Sequence, residues 1–92
     1  MDQVTDNIGM GRFELAIDHE SSAFAYYLVE DGRVVLTHTE VPFEHSGQGL
    51  ATKLADGVFA ALMRDGRKVV PKCGFMVAYA LKHPEFNAIV EW

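Results

Sequence analysis

Residues 33–54 read RVVLTHTEVPFEHSGQGLATKL. RVVLTHTEV (33–41) is rich in β-branched residues and reads as a strand. Pro42 ends it, because proline has no N–H for the ladder. A glycine loop follows and runs directly into an apolar helical pattern. The first backbone N–H groups of a helix have no internal partner and, with the helix dipole, attract anions. Gly47 and Gly49 would let a phosphate approach the backbone closely. The loop lacks the lysine and serine frame of a P-loop and the spacing of a dinucleotide fingerprint. By itself SGQGLA therefore reads either as a phosphate cradle or as a plain helix entry.

Toward the N-terminus, SAFAYYLV (22–29) is a second strand pattern, joined to the first through Asp31-Gly32, a strong two-residue hairpin signal. That turn sets a register. Glu30 pairs with Arg33, Tyr27 with Leu36, Ala25 with His38 and Ala23 with Glu40. Leu36, His38 and Glu40 should then share a sheet face with Ala23, Ala25 and Tyr27. RFELAIDHE (12–20) alternates Phe13, Leu15 and Ile17 with polar residues and reads as a half-buried strand. Residues 1–11 read as a loose lead-in that joins the sheet late.

Toward the C-terminus, Leu50, Leu54, Val58, Phe59 and Leu62 form the apolar side of a helix over 48–64, stopped by Asp65-Gly66. KVVP (68–71) is a buried strand candidate, and FMVAYALKH (75–83) is a second helix stopped by Pro84. EFNAIVEW reads as a final short strand, with Trp92 covering the sheet edge. The expected fold class is α+β with a mixed sheet: three antiparallel strands, a helix, a parallel strand and a helix. The 92 residues make one domain.

With 49% hydrophobic and 23% charged residues the composition is that of a globular domain. No long uncharged apolar run suggests a membrane span, and MDQVTDNIGM does not look like a signal peptide. A single cysteine, Cys73, allows no internal disulfide and suits a reducing cytoplasm. The net charge of −5 argues against nucleic-acid binding and suits a cationic partner such as an amine. The four histidines and one cysteine show no metal-ligand spacing.

SGQGLA resembles the pyrophosphate-binding motif of the GNAT-type N-acetyltransferases: Arg or Gln, two residues, Gly, one residue, then Gly or Ala. Gly49 and Ala51 stand at its small positions. Ser46 stands at the Arg/Gln position, a departure that removes one side-chain contact and keeps the backbone cradle. The resemblance extends over about residues 11–88. HTEVP (38–42), the glycine loop, the P-x-C-x-F segment at 71–75 and HPEF (83–86) are together similar to the small single-domain members.

The resemblance implies a minimal acetyltransferase fold that binds acetyl-coenzyme A, with no metal and without the paired helices that shape an acceptor pocket in longer members. It implies that Val41, Ser46, Gly47, Gln48, Gly49, Leu50 and Ala51 hold the cofactor, with pantetheine between the third strand and the parallel strand. Related acetyltransferases carry a general-base glutamate on this strand, so of Glu40 and His38 one is the implied base and the other orients it or relays the proton; the other reading is a solvent-facing edge pair or a structural hydrogen bond. Cys73 is either an acetyl acceptor, its thiolate favoured by Lys72 and a helix start, or a small buried hydrophobe. Tyr79 is either the general acid for the leaving thiolate or a core residue with a capped hydroxyl. Lys53 and Lys72 add charge near the phosphates or are solvated. His83 caps a helix, and His19 and His45 read as surface residues. The implied activity is acetyl transfer to an amine, on a small molecule or a protein, by a monomer or weak homodimer. The competing reading is a non-catalytic acyl-coenzyme A-binding or partner-binding module.

Overall fold

The computed structural model describes residues 4–92; the first three residues of the N-terminal lead-in lie outside the described residues. Five strands form one sheet in the order β1 (Val4–Asn7), β2 (Arg12–Ala16), β3 (Ser22–Glu30), β4 (Arg33–Glu40), β5 (Val69–Pro71). β1 to β4 are antiparallel neighbours and β5 is parallel to β4. α1 (Leu50–Arg64) joins β4 to β5, and α2 (Gly74–Lys82) follows β5. The expected mixed sheet with two helices is what forms. The lead-in contributes an edge strand from Val4 onward.

One face of the sheet carries the core. Phe13 and Leu15 of β2, Ala23 and Ala25 of β3, Val34 and Leu36 of β4 and Val69 of β5 are buried there. They meet Leu54, Ala55, Val58, Phe59 and Leu62 of α1 and Met76, Tyr79 and Ala80 of α2. The two alanines of β3 leave room for α1, whose apolar stripe packs over them. Phe24, Tyr26 and Leu28 line the opposite face, where the Arg12 guanidinium lies 3.9 Å from the centre of the Phe24 ring.

The hairpin register departs from expectation halfway along. Glu30↔Arg33 and Tyr27↔Leu36 hold, but His38 pairs with Tyr26, Thr39 with Ala25 and Glu40 with Phe24. Thr37 is an extra residue, a β-bulge, and its hydroxyl donates to the Tyr26 carbonyl at 3.3 Å. One inserted residue moves every later side chain to the other face. His38 and Glu40 consequently lie with Phe24 and Tyr26, not with Ala23 and Ala25.

The tail also differs from the expected strand. It makes a single parallel bridge, Val69↔Val90, where the Val69 N–H donates to Ile89 and the Glu91 N–H returns to Val69, both at 2.8 Å. Arg33 pairs with Glu91 and ties the tail to β4. Trp92 does not cover the edge. It is 66% exposed and lines, with Val35 and Val70, a groove of about 320 Å³.

Beyond its pairing with β2, β1 is tied to β3 and to α1. The Tyr27 hydroxyl donates to Asp6 at 2.6 Å. Gly57 of α1 faces Val4: an ideal Cβ on Gly57 would lie 2.8 Å from the Val4 Cβ and closer still to its Cγ2. Alanine normally stabilises a helix interior relative to glycine by about 1 kcal/mol. Here Gly57→Ala should instead destabilise the protein by about 1–3 kcal/mol in urea unfolding, because a β-branched side chain fixed on a strand cannot yield. Adding Val4→Gly should restore the ordinary preference for alanine.

Burial, reinforced by the Asp6 hydrogen bond, pushes the Tyr27 hydroxyl up from 10.0 to about 12. A raised folded-state value stabilises the fold fully below pH 10 and ceases to do so as pH climbs through 12. Unfolding free energy should fall by about 2–3 kcal/mol across that window from this group. Tyr27→Phe should flatten part of the slope. The remainder belongs to Tyr79, raised by burial and by Asp56.

Candidate functional site

β4 and β5 pair only over Val34–Leu36 opposite Val69–Pro71. The last contacts are donated by Lys72 and Cys73, whose N–H groups reach the Leu36 carbonyl at 2.9 and 3.3 Å. The chain then turns into α2. Among the described residues no strand lies on the β5 side of residues 37–40 of β4. Backbone groups along that edge are open to a ligand that can act as an extra strand.

The glycine loop lies at the end of this opening. Gly47 (φ 81°) and Gly49 (φ 73°) both adopt the left-handed conformation that disfavours side chains. Gly49 caps α1 without any side-chain hydrogen bond, and the first turn carries no acidic residue. The first turn closes where the Lys53 N–H reaches the Gly49 carbonyl at 3.2 Å. The N–H groups of Gly49, Leu50, Ala51 and Thr52 precede it and point out of the helix start. Ser46 to Gly49 are exposed, while Val41 and Leu50 at either end pack against the core. The helix begins two residues later than expected because Gln48 and Gly49 are spent on the turn. The result is an uncapped helix start with its positive end facing solvent, which suits a phosphate.

Cys73 is half-buried at the N-cap of α2. Its Sγ lies 3.3 Å from Thr39 Oγ1, and Thr39 is on the core face of β4 opposite Ala25. His38 and Glu40 are on the other face, exposed, with Nε2 and Oε2 3.8 Å apart. The bulge thus divides the candidates: the thiol is on the helix side and the base pair on the open side. Thr39 was not singled out from the sequence. It becomes visible only once the bulge is known.

Tyr79 is 4% exposed. Its hydroxyl donates to Asp56 of α1 at 2.5 Å, and its ring stacks on His83 at 3.8 Å. His83 is the C-cap of α2, with Nδ1 2.7 Å from the Tyr79 carbonyl, as expected of a capping residue. Nothing in the sequence marks Asp56 as the partner of Tyr79, and only the docking of α2 on α1 brings them together. Thr52, Phe75, Ala78, Tyr79, Lys82 and His83 line a groove of about 210 Å³ beside the first turn of α1. His19 is exposed, but His45 is half-buried and sits 3.4 Å from Asp18, a correction to its reading as a surface residue. Among the described residues no group of three or more His, Cys, Asp or Glu is arranged to hold a metal ion. No described helix is long and apolar enough to cross a membrane.

Residues 12–89 match the family model described as GCN5-related N-acetyl-transferase. Among solved structures, the NMR solution structure of a GCN5-like candidate N-acetyltransferase from Staphylococcus aureus is similar, with a TM-score of 0.70 and 22% identity. The match covers 97% of this chain and 87% of that one, and at this identity it speaks to the fold. No curated protein matched the chain.

Proposed function

The chain belongs to the GCN5-related N-acetyltransferase family, and on that premise we propose that it binds acetyl-coenzyme A and transfers the acetyl group to an amine. The observation that carries this reading is the adjacency of an uncapped, glycine-entered helix start and an unpaired stretch of β4. The first offers backbone donors for a pyrophosphate, and the second offers a strand edge for the amide-bearing pantetheine arm. Bound there, acetyl-coenzyme A supplies an activated acetyl thioester.

In this proposal Gly47, Gln48, Gly49, Leu50 and Ala51 hold the pyrophosphate through the backbone. Ser46 is too short to reach as Arg or Gln would. Residues 37–40 and Val41 align the pantetheine arm. The groove at Phe75 and Lys82 receives the nucleotide end, with a ring for the base and an ammonium for phosphate.

The acceptor amine arrives from the open face, where Glu40 and His38 are exposed. Glu40 takes the proton from the ammonium, directly or through His38, so that the nitrogen lone pair is free to attack the thioester carbonyl; the carbon–sulfur bond then breaks, and the coenzyme A thiolate takes up the proton shed by the new amide nitrogen. Direct attack is favoured over an acetyl-cysteine because Cys73 faces the other side, with the Thr39 hydroxyl as its polar neighbour. Tyr79 is assigned to packing, since its hydroxyl proton is committed to Asp56.

Isothermal titration should show coenzyme A binding to the wild type and none to Gly49→Asp. That change places a carboxylate at the cradle and forces a side chain onto a left-handed φ of 73°. Thiol release with an amine panel should fall by about 10²- to 10⁴-fold in Glu40→Gln. It should persist in Cys73→Ala; loss there, together with an acetyl mass increment on the wild-type chain, would establish the covalent route instead. Binding without thiol release for any amine would assign the protein as a non-catalytic acyl-coenzyme A module.

A further inference from the structure

The segment between the two apolar anchors of the cradle, Val41 and Leu50, is almost entirely at the surface. From Phe43 to Gly49 the residues are exposed except His45. Phe43, which could have anchored the loop, is 90% exposed. His45 is the side chain that turns inward, at 20% exposure, and it closes on Asp18 in the β2–β3 connection, Nε2 to Oδ2 3.4 Å.

Asp18 is itself held in place. Its Oδ1 accepts the Glu20 N–H at 2.9 Å, and the Ile17 and Asp18 N–H groups both reach the Ser21 carbonyl, at 2.9 and 3.2 Å. One carboxylate oxygen therefore belongs to a rigid turn, and the other faces the loop. The Asp18 carboxyl is held below its usual value by the Glu20 backbone bond first and by His45 among the smaller causes.

The second observation concerns the other ring nitrogen. His45 Nδ1 is buried and has no hydrogen-bond partner among the described residues. Nε2 meets the carboxylate as an electrostatic contact, and the ring is held so that Nδ1 is turned away from solvent. Burying an unpaired nitrogen still costs stability. An exposed loop that tolerates this cost, one residue before the cradle, implies that the position of the ring is worth holding.

We infer that His45 and Asp18 form a clasp that positions the phosphate cradle, with His45 acting as a positioning residue for the cofactor rather than a contact to it. The inference rests on the reading of residues 46–51 as the pyrophosphate site. His45 is followed directly by Ser46, whose N–H closes the short 3₁₀ turn on Phe43 at 3.0 Å. The orientation of that turn sets where Gly47 and Gly49 begin. Because Ser46 supplies no long side chain, the backbone must already be in place when the cofactor arrives, and the clasp fixes it from outside. Release of the clasp frees the loop without disturbing the core, since neither residue belongs to it.

The test uses the full chain and coenzyme A. His45→Ala should raise the coenzyme A Kd by about five- to tenfold by titration calorimetry. Asp18→Asn, which keeps an oxygen for the Glu20 N–H and turns an NH₂ toward His45, should do the same. The double variant should be no weaker than the larger single effect, since both remove one contact. His45→Gln, which keeps a donor able to reach Asp18, should recover part of the affinity. With an amine that is turned over, KM for acetyl-coenzyme A should rise while kcat holds, and the melting temperature of each variant should stay near that of the wild type.

An unchanged Kd in His45→Ala, additive effects in the double variant, or a fall in kcat without a change in KM would overturn the clasp. Failure of the wild type to bind coenzyme A at all would instead overturn the cradle.

Discussion

β4 pairs with β3 from Arg33 to Glu40, interrupted only at Thr37, but with β5 over only Val34–Leu36. The strand-ladder demand that every buried backbone group find a partner is therefore met on one side of β4 and left open on the other. Within the same strand Thr37 adds a residue and fills the break with its own hydroxyl. These two events, the early end of β5 and the bulge, produce the opening. They turn Thr39 toward Cys73, turn His38 and Glu40 outward, and leave a strand edge beside the start of α1.

What keeps the opening in shape is mostly remote from it. α1 is pressed onto β3 by the small residues Ala23 and Ala25, and β1 reaches α1 only because Gly57 has no side chain. α2 is locked to α1 by the Tyr79–Asp56 hydrogen bond and by ring contacts of Phe59 with Tyr79 and Phe86 at 4.9 and 5.4 Å. The two helices whose N-termini border the opening are thus fixed by their middles and C-terminal halves. The residues at their starts remain available, and the segment from Phe43 to Gly49 carries almost no packing of its own.

Most of the fold was legible because it rests on local signals. Asp31-Gly32 is found as the hairpin turn, with Asp31 at φ 52° and Gly32 at φ 77°. The apolar period of α1 gave the buried set, including Leu54, Val58, Phe59 and Leu62, and Asp65-Gly66 ended the helix on time. The glycine loop was legible as a helix entry with open N–H groups. The faces of His38 and Glu40 were not, because counting outward from a turn assumes an unbroken ladder, and nothing local in LTHTE marks Thr37 as the extra residue. The tail failed as a strand because β5 is short and offers Val90 only one bridge.

From the order of residues alone came the strand–loop–helix passage, the glycines that let a phosphate approach its backbone and the resemblance that named a pyrophosphate. All of these depend on contacts between near neighbours or on backbone conformation. The partition of the candidates was decided only in three dimensions: Cys73 with Thr39 on one face, Glu40 with His38 on the other, Tyr79 spent on Asp56 and His45 folded onto Asp18. Each of those pairings joins side chains whose meeting depends on how strands shift register and helices dock, and those displacements are set by the packing of the whole chain rather than by any segment of it.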